Sequence, residues 1–186
     1  RARGFNPTYE HMANSAATLA HPETRGNLVR PGGVLYGLWR DVLPPLADAP
    51  ELRPVMSLRT HVTLLKRVHA GEPLGYGCTY EAAREMTVAT VPAGYADGYA
   101  RALSNRGRVI VKGVYAPVVG RVSMDLTLLD VTGIEGVRVG ERVTMLGADA
   151  GLVLPAEDLA QTAGTLSYEI TCGVSARVPR RHVRGG

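Results

Sequence analysis

From about Glu51 onward, hydrophobic residues come in short bursts rich in Val, Leu and Thr, most of them stopped by Gly, Pro, Asn or Asp. Val55–Val68, Met86–Ala93, Arg108–Val111, Val118–Val122, Leu126–Val131 and Arg142–Leu146 have this form, and the pattern predicts strands. Strands at such close intervals imply a sandwich or barrel. One helix is predicted near Pro155–Thr162, where proline takes an early helical position and Glu157 and Asp158 fall in the first turn. The first fifty residues differ. Glu10–Leu19 carries helix-forming alanines, with Asn14 and Ser15 as candidate caps. After a loop, Leu28–Gly37 is an apolar run broken by glycines. Strand, helix and Gly-rich loop in that rhythm are α/β material, and a complete α/β domain needs more such units, so this reads as the tail end of one. Pro44-Pro45 and Asp48-Ala49-Pro50 mark a boundary or linker.

Composition narrows the picture. The chain has 186 residues, 45% of them hydrophobic, enough for a sizeable core, and its 22 glycines and 12 prolines favour a turn-rich β protein over a helical bundle. No apolar run approaches the ~18 residues of a membrane span. Arg1-Ala2-Arg3-Gly4-Phe5 has no apolar core after its charges, so no signal peptide is expected. Cys78 and Cys172 are too few for a disulfide scaffold or an all-cysteine zinc site and read as reduced small hydrophobes of a cytosolic, cytoplasmic protein. His11, His21, His61, His69 and His182 show no paired-ligand spacing, so no metal is expected. The net charge is +4, with arginine dense only at Arg177, Arg180, Arg181 and Arg184. That tail has the character of a solvated basic end without interleaved aromatics, which leaves nucleic-acid binding a minority reading. Of 21 basic residues only Lys66 and Lys112 are lysines.

Four clusters can carry chemistry. In His11-Met12-Ala13-Asn14-Ser15, the serine either caps a helix or helps to hold an anion. In Arg30-Pro31-Gly32-Gly33, adjacent glycines form a turn or let backbone amides cradle a phosphate. Gly75-Tyr76-Gly77-Cys78-Thr79-Tyr80 and Gly94-Tyr95-Ala96-Asp97-Gly98-Tyr99 place tyrosines beside glycines, as needed where a phenol must reach a substrate; cross-strand pairing of turn tyrosines is the competing reading. Gly120-Arg121-Val122-Ser123-Met124-Asp125 ends a predicted strand in a polar turn whose aspartate orients a base or caps the turn.

Taken in order, HMANSAATL, VRPGGVLYG, GYGCTY, GYADGYAR, GRVSMD, TLSYEI and RVPR make the chain resemble the C-terminal half of an alanine racemase, a fold-type III pyridoxal 5'-phosphate (PLP) enzyme. The resemblance implies a mainly β chain: residues 1–49 a remnant of the C-terminal end of a PLP-binding (β/α)8 barrel, and residues 50–186 the C-terminal β-domain. It implies interconversion of L- and D-alanine by a two-base mechanism, supplying D-alanine for peptidoglycan, in a homodimer whose sites draw on both chains. Tyr76 would be the catalytic tyrosine, acting in the partner's site. Ser15, the amides of Gly32 and Gly33, and the Tyr168 phenol would hold the PLP phosphate; Arg30 would face the pyridine nitrogen, supported by His11. Tyr95, Met124 and Asp125 would line the substrate pocket, Met124 offering its N–H to the substrate carboxylate.

The same resemblance requires a PLP lysine early in the barrel, and neither lysine here has that context. Lys66 follows Thr63-Leu64-Leu65, and Lys112 lies in Val111-Lys112-Gly113, so both are expected at the surface. PLP would then be bound covalently to a lysine missing from this chain, which is expected to be a fragment inactive on its own. Two further readings stay open: a non-catalytic binding or assembly β-module of racemase ancestry, and a broader-specificity amino-acid racemase. No membrane partner is expected.

Overall fold

The computed structural model describes Gly4, residues 6–45 and residues 50–183. Arg1, Ala2, Arg3 and Phe5 of the N-terminal run, Asp48 and Ala49 of the boundary cluster, and Arg184 of the basic tail lie outside the described residues. The chain divides into two compact units, Arg1–Val55 and Met56–Gly186.

In the first unit the helix α1 spans Ser15–Ala20, starting later than the alanine-rich pattern predicts. Asn14 is extended, and its Oδ1 accepts from the Ala17 N–H at 3.0 Å, capping the helix. The residues before it are committed elsewhere. Arg30 N–H donates to Ala13 C=O at 3.0 Å, forming a parallel bridge between Asn14 and Arg30. Glu10 N–H donates to Asn27 Oδ1 at 2.8 Å. A 3-10 turn, Gly33–Tyr36, follows the bridge and ends at Gly37, whose φ of +80° sets its backbone against Arg53 and Pro54.

The second unit is mainly β. In chain order its strands are β1 (Leu58–His61), β2 (Leu64–Val68), β3 (Pro73–Leu74), β4 (Tyr80–Glu81) and β5 (Met86–Val91), then β6 (Arg108–Val111), β7 (Val114–Pro117), β8 (Thr127–Asp130), β9 (Arg142–Asp149) and β10 (Leu152–Leu154). The helices α2 (Ala156–Ala163) and α3 (Ser167–Gly173) follow. All strand pairs are antiparallel: one sheet runs β1-β9-β6-β7 with β10 also on β9, another runs β2-β5-β8, and β3 pairs with β4. The two larger sheets are joined where Val118 bridges Leu129, and again where β1 runs into β2 through Val62 and Thr63. The order thus returns on itself, giving the barrel-like form expected. β6 and β9 carry unbroken buried runs, Val109–Val111 and Val143–Gly147, because both of their faces are covered.

Two predicted strands and the expected place of the cysteines differ. Val55–Val68 is two strands in different sheets; Val62, fully buried at the bend, keeps the apolar pattern running through it. Val118–Gly120 and Val122 are buried, but the segment forms no strand beyond the single bridge at Val118, since Asn105 Oδ1 accepts from Gly120 N–H at 2.6 Å and Ser104 Oγ from Val122 N–H at 3.0 Å. Cys78 and Cys172 are free thiols but exposed, not packed in a core.

Tyr99 is buried, 1% exposed, and its hydroxyl has no partner among the described residues. Burial pushes its pKa up. An unfolded tyrosine ionises near pH 10, so above that pH unfolding releases a proton the buried phenol keeps, and stability falls as pH rises. Denaturant melts from about pH 9 to about pH 11 should show Tyr99→Phe sparing up to about 1.4 kcal/mol of that loss per pH unit.

Candidate active site

The first unit builds one cluster. Because Asn14 takes the cap, Ser15 is free for other work; it is 6% exposed and its Oγ accepts from Gly32 N–H at 2.8 Å and Val34 N–H at 3.4 Å. Its own O–H has no acceptor among the described residues, and neither does the Gly33 N–H. A Cβ added at Gly32 would meet nothing within 4 Å, so open space lies over this turn. An unspent hydroxyl and an unspent amide beside open space suit an oxyanion. Arg30 is exposed, its Nη2 reaching only the Met12 carbonyl at 3.4 Å. His11 is exposed and has no hydrogen-bond partner among the described residues.

The second unit builds another around Gly120–Asp125. On one side stands the turn bearing Tyr76. Gly75 and Gly77, with φ of +72° and +70°, bracket the tyrosine; a Cβ on Gly75 would lie 3.0 Å from Arg121 N, and one on Gly77 2.9 Å from Arg121 Nη1. The Tyr76 ring is thereby left 74% exposed, not paired across strand ends. On the other side stands the 3-10 turn Tyr95–Asp97. Tyr95 N–H donates to Ser123 C=O and Ala96 N–H to Met124 C=O, each at 3.0 Å. A Cβ on Gly94 would fall 2.2 Å from Ser123 O and 2.5 Å from Met124 O, so only glycine admits this approach. Tyr95 and Met124 are therefore neighbours through their backbones, both with exposed side chains. The Met124 N–H has no acceptor among the described residues. Ser123, not Asp125, closes the turn: Leu126 N–H donates to Ser123 Oγ at 3.0 Å.

Asp125 has a different partner, one that its sequence neighbourhood does not reveal. Arg177 Nη2 donates to Asp125 Oδ1 at 2.5 Å and Arg177 Nε to Asp97 Oδ1 at 2.8 Å. Hydrogen bonds to Asp125 and Asp97 raise the Arg177 pKa above its ordinary value. Composition assigned this arginine to a solvated tail; its place in RVPR was the available signal. Tyr168 lies half-buried on α3. Lys66, exposed on β2, pairs with Glu72 at 3.3 Å, and exposed Lys112 donates to Gly136 C=O at 3.4 Å. No cluster of His, Cys, Asp and Glu among the described residues is arranged to hold a metal ion.

Comparison with known proteins adds the family. The model for the alanine racemase C-terminal domain matches residues 55–182, and that for the N-terminal domain matches residues 1–39. The chain belongs to the alanine racemase family. An alanine racemase of Geobacter sulfurreducens is 49% identical over 183 residues, covering 97% of this chain and 47% of that protein. The alanine racemase of Bacillus anthracis with bound L-Ala-P superimposes with a TM-score of 0.88 at 38% identity, covering all of this chain and 47% of that one. That of Bartonella henselae, with covalently bound pyridoxal phosphate, does so at 0.83 and 31% identity, over 95% of this chain and 48% of its own. The chain spans about half the length of the curated relatives it matches.

The two glycines make a paired test in this racemase-family chain. Gly94→Ala forces a methyl into two carbonyls and should cost about 1–3 kcal/mol. Gly32→Ala, entering open space, should cost less than about 0.5 kcal/mol by the same denaturant melts.

Proposed function

We propose that this chain supplies the tyrosine side and part of the cofactor cradle of an alanine racemase, the whole protein interconverting L- and D-alanine as a cytoplasmic homodimer that provides D-alanine for peptidoglycan. The observation that carries the reading is the convergence of Tyr76, Tyr95 and the unspent Met124 N–H on one backbone segment, Gly120–Asp125. Racemisation removes a proton from one face of a carbon and returns one to the other, so two acid–base groups must flank it. Tyr76, exposed and held between two glycines, is the group for one face, acting in the site of a second copy. Met124 N–H receives the substrate carboxylate; Tyr95 and Asp125 form the wall beside it.

The donors of the first unit fit pyridoxal 5'-phosphate. Ser15 O–H and Gly33 N–H would hold its phosphate, with the Tyr168 phenol as a further donor; the Gly32 N–H, expected to share this role, is instead spent on Ser15 Oγ and shapes the turn. Arg30 would face the pyridine nitrogen, with His11 behind it. When bound, the cofactor supplies an electron-withdrawing ring that loosens the substrate's α-proton. An arginine there gives up no proton, which keeps the ring a moderate electron sink and disfavours side reactions. Neither Lys66 nor Lys112 is the covalent anchor; we assign that role to a lysine outside these 186 residues.

The test uses the full protein carrying this chain, loaded with PLP. Tyr76→Phe should lower the racemisation kcat by about 10²–10⁴-fold, and wild-type turnover with phenylalanine at this position would refute the assignment. Ser15→Ala should raise the PLP concentration needed for half-saturation by about tenfold, read by cofactor absorbance.

A further inference from the structure

The motif RVPR, Arg177 to Arg180, follows α3, and its course is fixed by contacts within the second unit. Gly98, with φ of +104°, lets the chain pass so close that a Cβ there would sit 2.5 Å from Val174 Cα. Ser175 N–H then donates to Asp97 C=O at 3.4 Å. Arg180 turns its guanidinium back on its own segment, donating to Val174 C=O at 2.6 Å, to Val178 C=O at 2.7 Å and to Ser175 C=O. The segment is thus a knot of backbone carbonyls around one arginine, and it presents Arg177 at a set place.

From there Arg177 spans two loops. Asp97 spends Oδ2 on Gly94 N–H at 2.9 Å, closing the turn that bears Tyr95, and offers Oδ1 to Arg177 Nε. The other end of the guanidinium holds Asp125, the neighbour of Met124. A continuous path runs Gly94–Asp97–Arg177–Asp125, linking the Tyr95 turn to the Met124 loop. The fork geometry matters, because a guanidinium binds two carboxylates through separate nitrogens while an ammonium is a single point of charge. Its charge matters as well. Without it, two carboxylates would stand uncompensated beside an amide that awaits a third.

We propose that Arg177 is a positioning residue: through Asp97 and Asp125 it fixes the Tyr95 turn and the Met124 loop relative to each other and neutralises the negative charge next to the substrate's carboxylate position. This rests on the functional reading above, and the test separates the two. In the full PLP-loaded protein, Arg177→Gln should speed hydrogen exchange of the Tyr95 and Ala96 amides by about tenfold or more while leaving the Val88 and Ala89 amides of β5 unchanged. The KM for L-alanine should rise by about tenfold, with kcat changing less than about threefold. Arg177→Lys keeps the charge but not the fork: it should recover part of the KM and still show faster exchange at the two amides, and it carries the test if the glutamine variant fails to fold. Unchanged exchange at Tyr95 and Ala96 in the folded variant, or a kcat loss at constant KM, overturns the proposal. Absence of racemisation in the unsubstituted protein would instead overturn the functional reading, with amide exchange still deciding whether Arg177 holds the two loops.

Discussion

The missing side chain of Gly94 is the constraint on which the second unit's site depends. A methyl group there would overlap the carbonyls of Ser123 and Met124, so the Tyr95 turn can lie against that segment only where the side chain is a hydrogen. That closeness lets consecutive amides of one loop bond consecutive carbonyls of the other without a strand pairing between them. It also leaves the Met124 N–H unclaimed, because the bonds formed there use Met124 as an acceptor. On the opposite side, Gly75 and Gly77 allow the same segment to be approached by the Tyr76 turn. Contact without side chains at the joints lets the side chains that remain project outward.

Around this joint the loops are held mainly by side chains answering backbone groups. Asn105 and Ser104 take the amides of Gly120 and Val122, Ser123 takes that of Leu126, and Asp97 takes that of Gly94. Each such bond replaces a ladder bond that a strand would have made, and it fixes a loop conformation no ladder could impose. The first unit works in the same manner on a smaller scale: Asn14 caps the helix, which leaves Ser15 to organise the Gly32 turn.

Much of the β framework was legible because burial imposes its own alphabet. β5, β6, β8 and β9 are short and apolar, and their predicted positions agree with the structure apart from their ends. The bend at Val62 was not legible, since a fully buried valine looks the same in a corner as in a strand. Val118–Val122 misled for a related reason: its apolar residues are buried, yet its pairing stops after Val118 and Val119. α3 opens at Leu166 with no side-chain cap, so its start carries no local mark. Among the site residues, the tyrosines and glycines stood out by adjacency. Arg177 did not, because its two carboxylates lie 80 and 52 residues away in the chain, and a distance of that kind leaves no periodic trace. Two arginines of the basic tail, Arg177 and Arg180, are exposed as expected but are committed to carboxylates and carbonyls, which local charge density does not reveal.

The place of β9 in the sheet order sets when this domain can come into being. Leu58 of β1 is paired with Leu146 of β9, and Ile110 of β6 with Thr144 of the same strand. β9 is thus the common partner of two strands made well before it. As the polypeptide leaves the ribosome, β1 and β6 wait with open edges until residues 142–149 arrive, whereas β2, β5 and β8 can already assemble with one another. Synthesis from the N-terminal end therefore presents a half-ring first, and the edges of β1 and β6 that β9 will cover stay open from their own synthesis until Arg142–Asp149 follows.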